Sequence, residues 1–322
     1  MTKTIEVTQK LDPCRLDSFL AIEFPEYSRN YFAGLVKAGQ VSVNGSHPKS
    51  SYQVKTGDRI EITFTEKEMI DLTPEEIPLN ILYEDENVIV INKQSGLVVH
   101  PSSSTKSGTL INALLAHFPK ISDAVYDKES KISTLRPGLV HRLDKDTSGV
   151  MIVAKNSRAM HSLARQIQNR TVTKIYWGLC VGWPKNETGT LINYLGRSSQ
   201  NRKEFTEVGE AKGRKAISEY KVIDCFLTPA KEKISLVEFD IKTGRTHQIR
   251  TQSKIAGFPI IGDLTYFNKL SQEIGNRLKA QRQMLHAKLL SITLPGDNKA
   301  SFFEAPLPDD FQSVLNQLSK QN

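Results

Sequence analysis

Apolar residues near the N-terminus recur first at helical spacing. Leu16, Phe19 and Leu20 fall on one face of a predicted helix. A second predicted helix would begin after an N-cap at Ser28 and end at Gly39. Its apolar positions are Tyr31, Phe32, Leu35 and Val36. The pattern predicts a short helical hairpin.

Strand patterns follow this hairpin. Residues 41–43 alternate apolar and polar side chains and precede Asn44-Gly45, a dipeptide typical of tight turns. Residues 59–64 are predicted to form a second strand. We therefore expect a small α/β domain over residues 1–65.

The next segment lacks apolar periodicity. Residues 66–78 are rich in charged side chains and contain Pro74 and Pro78, which predicts a linker. The remaining residues, 79–322, are expected to form a larger domain.

Strand patterns outnumber helix patterns in the larger domain. Residues 87–92, 174–181 and 235–241 are each predicted to be strands. They do not alternate regularly with helices, which favours an α+β fold with a mixed, mainly antiparallel sheet and flanking helices. No glycine-rich phosphate loop is present, which argues against a nucleotide cofactor.

An amphipathic helix is predicted to open at Ser157. Its apolar face consists of Met160, Leu163, Ala164 and Ile167. Arg158, Arg165 and Arg170 fall largely outside that face. Two interpretations of these arginines remain open: a solvated surface, or a stripe that contacts phosphates.

Composition adds a weak indication of the partner. The 322 residues include 43 lysines and arginines against 35 acidic residues. A positive excess fits a polyanion such as RNA, since neutralised phosphates release counterions. The three cysteines form no C-x-x-C pair, so reduced thiols and no zinc site are expected. No run approaches a membrane span of about 18 apolar residues and no secretory signal is visible, so a cytoplasmic protein is expected.

The densest polar cluster is residues 136–149, RPGLVHRLDKDTSG. Apolar segments flank it, as in loops where a rigid scaffold presents polar groups. Asp144 and Asp146 lie among cations, which disfavours the acid–base carboxylate pair of glycosidases. A single ionised Asp144 fits better, because it can attack a sugar C1′ or remove a proton beside it.

A second arginine-rich motif occupies residues 243–250, TGRTHQIR. It follows a predicted strand and opens a predicted helix, with Thr246 as the N-cap. The turn can direct the Arg245 guanidinium at a carboxylate, with Asp144 as a candidate, or at a phosphate. A metal site built from Asp144 and histidines is the competing interpretation, but H-x-x-D lacks the spacing of helical zinc motifs, so no metal is expected. The histidines concerned are His141, His247 and His286.

These two motifs resemble the signatures of the RluA-type pseudouridine synthases. Shorter matches extend the resemblance, in order, from about residue 15 to residue 310. They include ILYEDENVIVINK at 81–93, GLVVHP at 96–101 and KIY at 174–176. The chain departs from the family at Gln94, usually proline, and at residues 251–253, usually V-H-M.

The N-terminal segment resembles the S4 RNA-binding module. R-L-D at 15–17, S-R at 28–29 and V-x-V-N-G at 41–45 carry this resemblance. It implies that Arg29 and Lys37 face RNA. Any small module carries some basic surface residues, but several separate features agree here.

The family resemblance implies conversion of uridine to pseudouridine in RNA without metal or organic cofactor. It implies that Asp144 is the catalytic carboxylate and that Arg245 pairs with it. Tyr176 would stack on the target base, and Arg142 would enter the RNA stack that this base leaves. Without the motifs, Asp144 would be read as a structural aspartate and Tyr176 as a packing residue.

The S4-like segment favours large-subunit ribosomal RNA as the substrate, with transfer RNA as the alternative. A non-catalytic RNA-binding or ribosome-assembly factor is the competing class, yet such a protein would be expected to lose Asp144, Tyr176 or Arg245. A metal-dependent nuclease would need a carboxylate cluster, and the sequence shows none, which disfavours this class. A monomer is expected.

Overall fold

The computed structural model describes residues 2–8, 14–24, 27, 29–64, 72–102, 105–125, 136–201 and 204–321. These residues divide into two compact units, one within residues up to 64 and the other from residue 72 onward. No helix in the described ranges has the length and apolarity needed to cross a bilayer.

The first unit combines a helical hairpin with short antiparallel strands. Its helices are α1 (Leu16–Glu23) and α2 (Arg29–Lys37). Its strands are β1 (Thr2–Glu6), β2 (Cys14–Arg15), β3 (Val41–Val43), β4 (Gln53–Val54) and β5 (Arg59–Thr63). They form a β1–β5–β3 sheet and a separate β2–β4 ladder.

A small apolar core holds this unit together. Leu16, Leu20, Phe32 and Ile60 are fully buried in it. Both predicted helices and both predicted strands are present. The predicted N-cap Ser28 lies outside the described residues.

The second unit is built on one large sheet. Among the described residues it has eleven strands, with β11–β10–β12–β13–β9–β14–β8–β7–β6 in order, β15 beside β14 and β16 beside β12. The strands are β6 (Ile81–Glu84), β7 (Val88–Lys93), β8 (Ser148–Ala154), β9 (Thr173–Val181), β10 (Thr188–Arg197), β11 (Phe205–Glu207), β12 (Arg214–Leu227), β13 (Lys233–Ile241), β14 (Leu285–Thr293), β15 (Ala300–Glu304) and β16 (Ser319–Lys320).

Helices flank this sheet. They are α3 (Leu110–His117), α4 (Ser157–Gln168), α5 (Gln248–Ile255), α6 (Lys269–Arg277) and α7 (Asp309–Leu315), with a 3-10 turn at Pro119–Asp123. Of the described strand pairs, β8 with β14 is parallel and the others are antiparallel. The predicted α+β fold with a mainly antiparallel sheet is confirmed.

The predicted start of the larger domain is too late. Leu72 and Ile77 pack against the core of the second unit, and the Thr73 carbonyl accepts a hydrogen bond from Asn112 Nδ2. Residues 72–78 therefore belong to this unit, because their apolar side chains are partly buried against its core despite the lack of periodicity. Residues 66–71, the rest of the predicted linker, lie outside the described residues.

Gly149 allows β8 and β14 to lie close together. It has a φ of 115°, and a Cβ at this position would lie 2.2 Å from the Ala287 carbonyl oxygen. Gly149 follows directly on residues 141–148, so the parallel pairing of β8 with β14 sets where this polar loop ends.

We expect Gly149→Ala to destabilise the protein by about 3 kcal/mol, because the backbone is left-handed and the contact is with backbone atoms. Urea unfolding measures this change. Gly209→Ala is the control, since a Cβ there meets nothing within 4 Å. Equal stability of the two variants would contradict the close approach.

Candidate active site

A cavity of about 460 Å³ lies beside the central strands β9 and β13 of the large sheet. Three segments form it: the loop before β8, the end of α4 with the start of β9, and the turn from β13 into α5. Its charged lining consists of Arg142, Asp144, Arg170, Lys174, Lys242, Arg245 and Arg250. Within this lining Asp144 is the only carboxylate among six cations, so the cavity is suited to an anionic substrate.

Two buried cations hold the loop that carries Asp144. Lys93 is 1% exposed, and its Nζ donates to the carbonyl oxygens of Lys145 at 2.9 Å, Gln94 at 2.8 Å and Leu97 at 3.0 Å. Burial lowers the pKa of the Lys93 ammonium to about 7. The loop backbone is therefore fixed one residue beyond Asp144.

Arg282 provides the second support for this loop. Its Nη1 donates to the Asp146 carbonyl oxygen at 3.0 Å, and its Nε and Nη2 bind the two carboxylate oxygens of Asp310. The Thr147 amide closes the turn onto the Asp144 carbonyl oxygen at 3.2 Å. Neither Lys93 nor Arg282 was identified from the sequence, because their role follows from burial.

Arg250 is the cation paired with Asp144. Its Nη1 lies 3.2 Å from Asp144 Oδ2, while its Nε and Nη2 bind the Asp263 carboxylate at 2.6 and 2.8 Å. Asp263 also accepts hydrogen bonds from the amides of Thr265 and Tyr266. The charge of Arg250 and these hydrogen bonds outweigh burial and lower the pKa of Asp263.

The predicted pairing of Arg245 with Asp144 is wrong. Arg245 is half-buried in the same cavity, but its Nε donates to the Lys215 carbonyl oxygen at 3.1 Å. Burial and the neighbouring Arg214 and Arg170 lower the pKa of its guanidinium. Arg245 is thus one of the six cations of the cavity wall and not the ion-pair partner.

The start of α5 explains this difference. The N-cap is His247, which has a left-handed φ of 54°, and the predicted N-cap at Thr246 is wrong. Gln248 Oε1 accepts from the Arg245 amide at 3.0 Å and from Thr243 Oγ1 at 2.7 Å. Arg245 precedes this helix, whereas Arg250 lies in its first turn, and residues 248–253 of the helix are all buried.

His247 is the second neighbour of Asp144. Its Nε2 lies 3.9 Å from Asp144 Oδ1, and its Nδ1 is hydrogen-bonded to Tyr266 Oη at 2.9 Å. Burial lowers the pKa of His247, so the ring is neutral at neutral pH. The ring also contacts Phe205 edge to face.

Tyr176 lies in β9 and lines the cavity beside Asp144. It is 8% exposed, and burial together with the Asp144 charge raises the pKa of its phenol. The phenol therefore stays protonated at neutral pH, with its ring at the cavity wall.

Arg142 and His141 are adjacent in the sequence but differ in exposure and in their contacts. Arg142 is exposed and lines the cavity, and its side chain makes no ion pair with any described residue. His141 Nε2 accepts a hydrogen bond from the Ile152 amide at 3.1 Å, and burial lowers its pKa to about 3. His141 is thus a neutral structural group.

His286 is likewise structural. It is fully buried between Ser148 Oγ at 2.9 Å and the Ala305 carbonyl oxygen at 3.2 Å. In the part of the chain that the structure describes, no group of three or more His, Cys, Asp and Glu side chains is arranged to hold a metal ion.

In the first unit, Arg29 Nε lies 3.3 Å from Asp17 Oδ2, and the Asp17 carboxylate also binds Arg15. Lys37 is exposed in the last turn of α2. The proposed RNA-facing residues are therefore at the surface, and Arg29 also compensates a buried carboxylate.

A single carboxylate in a cation-lined cavity on a mixed sheet suits an enzyme for nucleic-acid substrates. Residues 87–254 match the family model described as RNA pseudouridylate synthase, and residues 14–60 match the S4 domain. The chain belongs to the RNA pseudouridine synthase family, isomerases that act on RNA.

Relatives agree with this assignment. The chain is 40% identical over 328 residues to an uncharacterized RNA pseudouridine synthase of Chlorobaculum parvum, covering 98% of this chain and 97% of the relative. It is 38% identical over 311 residues to ribosomal large subunit pseudouridine synthase D of Neisseria meningitidis serogroup B, covering 94% and 78%.

A solved structure is similar as well. Human RNA pseudouridylate synthase domain containing 1 has a TM-score of 0.58 and 28% sequence identity, covering 76% of this chain and 89% of that one. The similarity agrees with the fold and the family.

We expect Asp263→Asn to destabilise the protein by about 3 kcal/mol at pH 7, because a buried ion pair loses one partner. The pKa of Asp263 is lowered in the folded state, so its contribution is present above the unfolded value of about 3.9 and is lost as pH falls through the lower folded value. Urea unfolding at pH 7, 5 and 3.5 measures the difference from the unsubstituted protein.

The exposed Asp297 provides the control, and Asp297→Asn should change stability by less than about 0.5 kcal/mol. A difference for Asp263→Asn that stays constant down to pH 3.5 would contradict this assignment.

Proposed function

We propose that this protein converts uridines to pseudouridine in large-subunit ribosomal RNA, with Asp144 as the catalytic group. The observation that carries the proposal is the position of Asp144, the single carboxylate in a cavity wall with six cations. The cations suit the phosphates and the displaced base, and the carboxylate suits reaction at the ribose.

The reaction breaks the N1–C1′ bond, rotates the uracil and forms a C5–C1′ bond, after which the C5 proton leaves. Asp144 can act on C1′ as a nucleophile or on the C2′ hydrogen as a base. Arg250 supports either role, because its 3.2 Å contact holds Oδ2 of the carboxylate, while Oδ1 lies 3.9 Å from His247 Nε2, beyond hydrogen-bond distance.

The remaining cavity groups have complementary roles in this proposal. Tyr176 stacks on the uracil and assists removal of the C5 proton. Arg142, exposed and free of ion pairs within the described chain, fills the place of the extruded base. Arg245 contacts the RNA or the displaced base as a cation of the wall instead of orienting Asp144.

The substrate class is supported by two findings. The S4 domain is an RNA-binding module, and the Neisseria meningitidis relative is named for the large ribosomal subunit. Transfer RNA is the alternative substrate. A non-catalytic assembly factor is disfavoured because Asp144, Tyr176 and Arg250 together complete the cavity.

Asp144→Asn is expected to abolish tritium release from RNA labelled with [5-³H]uridine, because the amide can neither attack C1′ nor accept the proton. RNA affinity should survive. Parallel assays with large-subunit ribosomal RNA and transfer RNA identify the substrate.

Asp297→Asn is the matched control, because it removes an equal charge at an exposed position outside the cavity lining. It should keep most of the activity. Equal losses in both variants, or turnover by Asp144→Asn, would remove Asp144 from its role.

Lys37→Gln is expected to weaken binding of ribosomal RNA and leave kcat unchanged, because Lys37 lies in the S4 domain and outside the cavity. Loss of one phosphate contact lowers the slope of log Kd against log salt by roughly 0.7–0.9. Lys49→Gln, at another exposed position of the same unit, is the control. Identical slopes for both variants would contradict RNA contact by Lys37.

A further inference from the structure

Helix α4 carries two arginines outside the cavity. Arg158 and Arg165 are exposed. Their seven-residue separation places them on the same side of the helix, about 10 Å apart along its axis. Ala159, Met160 and Leu163 on the other side are buried in the core of the second unit.

A third arginine connects this row to the cavity. The helix ends at Gln168, and the chain turns at Arg170, which has a left-handed φ of 60°. Gln168 and Arg170 both line the cavity that contains Asp144. The row of Arg158, Arg165 and Arg170, here called the α4 arginine face, thus extends from the start of the helix to the cavity wall.

Within the described residues, the positive charge of this face is uncompensated. Residues 157–174 contain no aspartate or glutamate. None of the three arginines forms an ion pair or a side-chain hydrogen bond with another residue in the described part of the chain. Elsewhere in this unit, buried and half-buried cations such as Lys155 and Arg282 are paired with carboxylates.

Helix stability accounts for only part of this arrangement. Arg165 lies in the last turn, where the helix dipole favours a cation. Arg158 is the second residue of the helix, where the dipole disfavours one. Helix stability therefore does not account for Arg158. Its position on the face that extends to the cavity wall indicates a role in binding an anion.

We propose that the α4 arginine face binds the backbone phosphates of the RNA strand next to the target uridine. This inference rests on the proposed function. It adds the position of the RNA strand outside the cavity. Phosphate contacts set register and orientation without reading sequence. The face therefore holds the strand at the cavity and does not choose the uridine.

The test is the full-length double variant Arg158→Gln/Arg165→Gln, with Arg170 retained because it lines the cavity. The probes are Kd for an unmodified large-subunit ribosomal RNA transcript at several salt concentrations, and tritium release with the same RNA. Loss of two phosphate contacts should lower the slope of log Kd against log salt by roughly 1.4–1.8. KM should rise and kcat stay unchanged.

Lys185→Gln/Lys231→Gln is the matched control. It removes the same charge at exposed turns, after β9 and before β13, at the ends of these strands away from the cavity. Its slope and KM should equal those of the unsubstituted protein. The thermal unfolding midpoint of the arginine variant should stay nearly unchanged, because both side chains are exposed and their interactions with the dipole at the two ends of α4 have opposite signs.

A slope and KM for the arginine variant equal to those of the control would overturn the proposal. A fall in kcat with unchanged KM would overturn it as well, since phosphate binding acts on affinity. If the unsubstituted protein releases no tritium yet the arginine variant still lowers the salt slope, the proposed reaction fails and the phosphate-binding face is supported.

Discussion

The geometry of the site depends on one buried guanidinium. Arg250 is 7% exposed and lies between two carboxylates, with a bidentate contact to Asp263 and a single contact to Asp144. A charge at this depth is tolerated only when it is paired and hydrogen-bonded. Asp263 supplies this pairing for Arg250, and its own carboxylate accepts hydrogen bonds from backbone amides. The Asp144 carboxylate is thereby oriented by the interior of the protein.

The backbone beside Asp144 is held by the same kind of interaction. Lys93 and Arg282 are both buried, and each donates to a carbonyl oxygen of the residues that follow Asp144. A carboxylate fixed both at its side chain and at its backbone reorganises little when substrate enters, which is the condition for electrostatic stabilisation of a transition state. These buried cations stabilise the loop and at the same time leave its outer surface to the substrate.

Pairing divides the cations of the second unit into two groups. Arg250, Arg282 and Lys155 are paired with carboxylates and support the fold. Arg142 and Arg170 line the cavity without an ion pair in the described chain, and so keep their charge available to a ligand. This division, more than the modest net charge, relates the composition of the protein to an RNA substrate.

By itself the sequence determined the two helices and the main strands of the first unit, part of the strands and helices of the second, the α+β class and the residue types of the site, because periodicity and two long local motifs carry that information. Only the tertiary structure decided that Arg250, and not Arg245, contacts Asp144. Arg245 precedes the helix and Arg250 lies in its first turn, so which guanidinium reaches the carboxylate depends on where the helix begins, which local preferences do not define to the residue. Lys93 and residues 72–78 became visible only in the fold, because burial against distant segments gives them their role.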